Sequence, residues 1–438
     1  MKKLIVNTCR LLLALTFIFS GFVKAIDPLG TQYKIEDYLQ ALHLGGVLPS
    51  PVPLILSVGL AALEFSLGIF MLFAIRRRLT SRLVLVMMLI MTPLTLWLAL
   101  ANPVSDCGCF GDCLVLTNWQ TFWKNVVLLL AAVVVARCPL EMFRFVSRSN
   151  QWIVINYTLL YILAVSLWSL YDLPPIDCRP YHVGANIEEG MTVPEGAEQP
   201  QFETTFILEK DGQQREFTID EYPDSTWTFV DSRTVQLSEG YVPPIHDFTI
   251  VTAEGDDIAA DVLSDTSYVF LLVAPYLEHA DDSRFDLINE LYEYSREHNY
   301  PFYCLTASGE QETGLWTELT GAEYPFCFCD GITLKTIVRS NPGLVLLRHG
   351  TVVGKWSHNR LPQLSSEQMG QPLDQLPMGQ PATTSLFTRV LQLTMWFVVP
   401  LLLLTIADRM WMWSRWLRRR KEEKPDGSDD PKNTTEEI

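Results

Sequence analysis

Basic residues are in short supply here: 33 lysines and arginines face 50 aspartates and glutamates, and the formal charge of −17 over 438 residues argues against nucleic acid as a partner. Charge of either sign is sparse, at 19% of residues against 48% hydrophobic, which excludes an ordinary soluble protein. No small-x-small cleavage site follows the first apolar run, so that run reads as a retained span and not as a signal peptide. No histidine stands near the cysteines of residues 107–113 to complete a tetrahedral metal site, and no metal is expected. Inverted repeats and paired broken helices are also missing, which places a transporter last among the readings.

What is present is a set of apolar runs near the length that a bilayer core requires, at residues 4–25, 53–75, 83–101, 121–136, 152–170 and 390–407. Lysine and arginine collect on alternate connections, at Lys2, Lys3 and Arg10, at Arg76–Arg78, at Arg137, Arg144 and Arg148, and at Arg409 with Arg415–Lys421. The positive-inside rule then puts both termini in the cytoplasm and residues 171–389 outside it, in the periplasm of a bacterial inner membrane. Trp119, Trp123, Trp152, Tyr171, Trp411 and Trp413 stand near span ends, as interfacial anchors do. The tail from residue 409 to 438 begins basic and turns polar, a composition expected to stay disordered.

Three cysteines fall in one short outer loop, Asp106-Cys107-Gly108-Cys109-Phe110-Gly111-Asp112-Cys113. In an oxidising compartment such close thiols cycle between dithiol and disulfide or stay bridged, and the pairing is open from sequence. Glu64 sits near the middle of the second span, where an ionisable side chain costs roughly 2.5–3.5 kcal/mol on insertion scales and marks either a functional group or a paired packing residue. It can carry protons or hydrogen-bond a quinone. Lys24 either snorkels to the outer face or pairs with Asp27 or Glu64. Gly59, Gly68 and Pro93 read as packing sites and tolerated breakers.

On Ser20-Gly21-Phe22-x-Lys24-x-x-Asp27-Pro28, Leu63-Glu64-x-x-Leu67-Gly68 and Cys107-Gly108-Cys109-Phe110-Gly111, residues 1–140 resemble the DoxX/MauE group of four-helix membrane proteins. The resemblance implies a link to methylamine utilisation and disulfide formation on the MauE side, and to quinone-coupled oxidation of sulfur compounds on the DoxX side. It makes Cys107 and Cys109 the redox pair, with Cys113 able to resolve or replace one of them, and quinone the cofactor that the resemblance implies.

Beyond a fifth span at 150–172, residues 173–240 alternate as a small β-rich segment turning at Lys210-Asp211-Gly212, and residues 241–362 alternate strands with helices, which implies a largely parallel sheet. That order resembles the thioredoxin-like fold of the TlpA and peroxiredoxin type, with Pro342 where the family keeps a cis-proline. The family's nucleophilic cysteine is missing: the chain reads Val273-Ala-Pro-Tyr276-Leu-Glu278-His279 there. Cys304, Cys327 and Cys329 read as buried residues of the core, and Glu278 with His279 as an exposed pair or an acid–base pair. A linker at 363–389 leads to the sixth span at 390–408. The expectation is a helical polytopic membrane bundle, four DoxX-like helices plus two, bearing a periplasmic α/β thioredoxin-like domain and a β-rich insertion. Its function is a thiol–disulfide or quinone-linked redox component that meets membrane lipid and a periplasmic client protein; the alternative is a non-enzymatic assembly or tethering factor for an envelope partner.

Overall fold

The computed structural model describes the chain apart from residues 50, 105, 195, 198–200, 211–212, 219–227, 239–240, 247, 381–384 and 423–438. It divides into two compact units, residues 1–178 with 383–438, and residues 179–382.

The first unit is helical. Among the described residues, six helices are long and apolar enough to cross a membrane. They are α1 (Lys2–Ile26), α3 (Pro51–Phe73), α4 (Arg77–Ala101), α5 (Asn118–Arg137), α6 (Gln151–Tyr171) and the C-terminal helix Leu386–Glu422, with the shorter α2 (Pro28–Ala41) inserted after α1. Five of the six expected spans lie inside one of these helices, and the span 53–75 overruns the end of α3 at Phe73 by two residues. Helix α2 was not expected: residues 27–52 read as a loop because their polar and apolar positions carry no continuous face. Asp27 caps α2, its carboxylate accepting from the Gly30 N–H at 2.9 Å, and Pro28 supplies the first helical residue.

Small residues set how closely α1 and α3 cross. A Cβ on Gly21 would lie 2.3 Å from the Phe65 nitrogen, and one on Gly68 would lie 2.6 Å from the Ile18 nitrogen. Both glycines therefore work as close-contact points between helices. Gly59, expected to do the same, meets nothing within 4 Å. Pro400 in the C-terminal helix has no N–H for the Trp396 carbonyl, and the Tyr157 hydroxyl donates to that carbonyl at 2.5 Å instead. Phe397 stacks on Tyr157 and meets Phe65 edge-on, so the sixth span joins the core beside α3 and α6. Asp408 accepts from the Ser147 backbone and hydroxyl and from Asn150, tying the far end of that helix to the start of α6. Trp119, Trp123, Trp152, Tyr171, Trp411 and Trp413 are all exposed on the helix surfaces. Arg10, counted with the basic connections, is instead buried within α1 and donates to the Phe143 carbonyl at 2.6 Å.

Among the described residues, the second unit holds two sheets. Strands β1 (Gln201–Lys210), β2 (Gln213–Thr218) and β3 (Thr228–Ser238) form an antiparallel sheet in the order β2-β1-β3. Residues 211 and 212 of the expected turn and Trp227 lie outside the described residues. The larger sheet comprises β4 (Tyr268–Val273), β5 (Phe302–Thr306), β6 (Phe326–Phe328), β7 (Gly343–Arg348) and β8 (Thr351–Ser357), in the order β6-β5-β4-β7-β8. Helices α7 (Phe285–Glu297), α8 (Glu310–Thr320) and α9 (Gly331–Ile337) connect β4 to β5, β5 to β6 and β6 to β7.

The expected largely parallel sheet is mixed. Strands β4, β5 and β6 run parallel, but β7 and β8 form a hairpin whose first strand is antiparallel to β4. The Asn341–Pro342 bond is cis, directly before β7. This order of strands, with a cis-proline opening the hairpin, is that of a thioredoxin-like domain. The expected linker also needs correction. Leu373, Leu376 and Met378 are buried in the core of this unit with Tyr268, Phe270 and Tyr294, so residues 363–380 form a strap over the sheet domain. Their apolar residues are spaced among Gln, Pro and Gly and follow neither a helix nor a strand period, which hid them from pattern reading.

Candidate functional site

Helix α1 carries Ser20 and Lys24 one turn apart, hence on one face, and α3 brings Glu64 against them. The Lys24 ammonium donates to a Glu64 carboxylate oxygen at 2.8 Å and to Ser20 Oγ at 2.7 Å. Both charged side chains are only 6% exposed. Lys24 therefore does not snorkel; it offsets the buried carboxylate that the sequence left unexplained. Ser20 Oγ lies 2.7 Å from the same Glu64 oxygen.

The cysteine loop closes over this pair. The Cys109 carbonyl accepts from Lys24 Nζ at 2.9 Å and from Ser20 Oγ at 2.8 Å. Asp106 accepts from the Gly108 N–H at 2.8 Å and pairs with Lys34 of α2 at 2.5 Å, while the Tyr38 hydroxyl donates to the Cys107 carbonyl. Gly108 has φ +65°, a left-handed conformation that other residues rarely adopt, and a Cβ there would sit 3.0 Å from Lys34. With the backbone so held, Cys107 Sγ and Cys109 Sγ stand 2.8 Å apart. A disulfide needs about 2.05 Å, so closing the bond requires a sulfur displacement of about 0.8 Å.

Charge in the loop favours one thiolate. The Cys109 thiol is lowered to about 6, first by the hydrogen bond that Cys107 offers, and then by Lys124 and Lys24 acting against its burial. Cys107 is pushed up, because its proton is held on Cys109 and because it is buried beside that charge. Lys124 of α5 sits 4.0 Å from the centre of the Phe110 ring. Burial and the neighbouring cysteines also raise the Tyr38 hydroxyl, which stays a donor.

Beside the loop is a cavity of about 100 Å³, lined among others by Met87, Met88 and Met91 and by Lys24, Glu64 and Lys124. Cys107 and Cys109 also line it. That is room for several water molecules or a small ring, but not for a protein chain.

The site thus brings together three of the four residues singled out by sequence: Cys107, Cys109 and Glu64. Cys113, expected as a spare thiol, is instead bonded to Cys178, 65 residues away, with a Cα–Cα distance of 4.9 Å. Sequence reasoning missed Lys34, Tyr38 and Lys124 as partners of the loop. They are ordinary polar residues locally, and only the fold of α2 and α5 puts them at the cysteines.

The sheet domain contributes no comparable thiol. In the segment that follows β4, the Tyr276 carbonyl accepts from Asn341 Nδ2 at 2.7 Å, and Lys335 covers the Tyr276 ring at 4.8 Å. Glu278 accepts from the Ser308 hydroxyl at 2.8 Å. Cys304, Cys327 and Cys329 are buried and unbridged. Burial raises all three thiols, Cys327 and Cys329 to about 11.

Residues 2–137 match the family described as Methylamine utilisation protein MauE, and residues 202–239 match the family described as Domain of unknown function (DUF8463). No curated protein matches the chain. Among solved structures, the solution structure of a Bacteroides thetaiotaomicron protein described as a protein disulfide isomerase is 17% identical over 26% of this chain and 76% of its own, with a TM-score of 0.22. That likeness is too slight to bear on function. The helices that build the cysteine site, α1 to α5, are those of the MauE match, so the part of this multi-pass membrane protein that is similar to the MauE family is the part that carries the site.

Proposed function

We propose that this protein is a redox component of a bacterial inner membrane, in which Cys107 and Cys109 take electrons from the thiols of periplasmic clients and pass them to a quinone. The observation that carries the reading is the pair of sulfurs 2.8 Å apart lining one cavity with Glu64, Lys24 and Lys124; the hydrogen bond from Cys107 first, and then the two lysines, favour a thiolate at Cys109. In each cycle two thiols lose two electrons and two protons and become a disulfide, and the quinone takes both and becomes a quinol. The methionine side chains lining the cavity suit an apolar ring, and Lys24 and Lys124 offer positive charge to its oxygens. Glu64, held between Lys24 and Ser20, is the group able to carry a proton there. Alternation of basic connections supports an orientation with both termini cytoplasmic and the loop outside.

A second reading, an assembly or tethering factor without chemistry, draws on the sheet domain, whose cysteines are buried and whose segment after β4, residues 274–279, holds no cysteine. Purified protein in lipid vesicles, supplied with a reduced dithiol and a quinone, separates the two. Replacing Cys107 or Cys109 by Ser is expected to bring quinone reduction to background. An unchanged rate rejects the redox reading and leaves the tethering one.

A further inference from the structure

The membrane unit holds four cysteines at its outer loops as two distinct pairs. Cys107 and Cys109 line the cavity; Cys113 and Cys178, joined to each other, do not. The space beside the first pair is too small for a protein. A pair that faces such a cavity suits a small oxidant and is poorly placed to meet a protein client.

The second pair stands off that cavity. Cys178 is the last residue of the membrane unit, where the chain passes into the sheet domain, and Cys113 and Cys178 are half-buried, as Cys107 and Cys109 are, at the edge of the helical core. Only Phe110, Gly111 and Asp112 separate Cys109 from Cys113. That stretch is drawn in by the Gly111 N–H donating to the Gly108 carbonyl at 3.2 Å and by the helical turn Gly111–Cys113.

We infer that Cys113–Cys178 is a second redox-active disulfide, which oxidises protein dithiols and is itself reoxidised by the Cys107–Cys109 disulfide. This rests on the redox reading above and adds the group that meets the client. A client thiolate attacks one sulfur of Cys113–Cys178, and the client's second thiol resolves the mixed disulfide, so the client leaves oxidised and both Cys113 and Cys178 become thiols. Cys113, as thiolate, then attacks Cys107 and expels Cys109, the better leaving group because cations stabilise its charge. Cys178 attacks Cys113, re-forming their bond and releasing Cys107, which takes up a proton. Two electrons have moved from client to the cavity-lining pair, where quinone removes them.

The test reads sulfur pairing only. The full chain carrying Cys178→Ser is oxidised in lipid vesicles with diamide, acid-quenched, alkylated and mapped by mass spectrometry without reduction. Cys113 linked to Cys107 or Cys109 in most chains is the expected result. Cys113 alkylated beside an intact Cys107–Cys109 bond overturns the relay. Should that variant fail to fold, the wild-type chain is titrated with a reduced dithiol protein in the absence of quinone. The first equivalent is expected to leave Cys107 and Cys109 reduced with Cys113–Cys178 re-formed, and excess dithiol protein is then expected to open Cys113–Cys178 as well; a Cys113–Cys178 bond that excess dithiol protein never opens is purely structural and overturns the relay. Neither measurement involves quinone turnover, so a wild-type protein unable to reduce quinone would sink the parent reading and leave both results interpretable.

Discussion

Lys24 of the first span donates to Glu64 of the second across 2.8 Å, and the same ammonium donates to the carbonyl of Cys109 at 2.9 Å. A buried ion pair inside a helical bundle is thereby the floor of the cysteine loop. Removing one partner leaves a buried, uncompensated charge, which costs about 3–5 kcal/mol. Glu64→Ala and Lys24→Met are each expected to lower stability by that amount in denaturant unfolding from lipid or detergent. The double variant should recover a large part of the loss. Additive losses would mean that the two residues act independently.

The shifts at the cysteines set a pH dependence. Cys109 is held below its ordinary range, so its thiolate is present above about pH 6 and is protonated as pH falls through that value; Cys107 is held above its range and remains a thiol. Alkylation of the reduced protein should therefore modify Cys109 first, with a rate that rises through about pH 6. Lys124→Met should move that midpoint upward, since Lys124 is one of the charges that lower it. Equal rates at both cysteines, with a midpoint near that of a free thiol, would contradict the assignment.

Close helix contact gives a third prediction. Gly21→Val and Gly68→Val would force side-chain atoms against the backbone of the facing helix, where a Cβ alone already comes within 2.3 Å and 2.6 Å. Overpacking of this kind costs about 1–3 kcal/mol or more. Gly59→Val, with nothing within 4 Å, should leave unfolding stability unchanged. A similar loss at all three glycines would show that helix propensity, not the crossing, is responsible.

Much of this architecture is legible in the residues. Six apolar runs mark the spans, because a bilayer demands their length, and Pro342 marks the hairpin, because its cis bond belongs in practice to proline. The cysteine loop was visible as Cys107-Gly108-Cys109, and Glu64 as an ionisable residue where one is costly. What stayed hidden depends on long-range packing. Nothing local links Cys113 to Cys178 across 65 residues, or chooses Glu64 over Asp27 for Lys24. The strap through Leu373, Leu376 and Met378 was read as a linker because irregular backbone leaves no periodic signal.

Thiols of the sheet domain should behave as packing. Cys304, Cys327 and Cys329 are buried with raised pKa values, so native protein at neutral pH should resist alkylation at all three until the domain unfolds. Rapid native labelling of Cys327 or Cys329 would give this domain a thiol chemistry of its own and weaken the assignment of the redox work to the membrane loop.

The central claim is tested most directly at the two sulfurs themselves. Reduced protein in lipid vesicles is mixed with a quinone, quenched in acid at intervals and mapped by mass spectrometry. The expected result is loss of alkylatable Cys107 and Cys109 together, in step with quinol formation, as the Cys107–Cys109 disulfide appears. Quinone that stays oxidised while both cysteines remain fully alkylatable would contradict it.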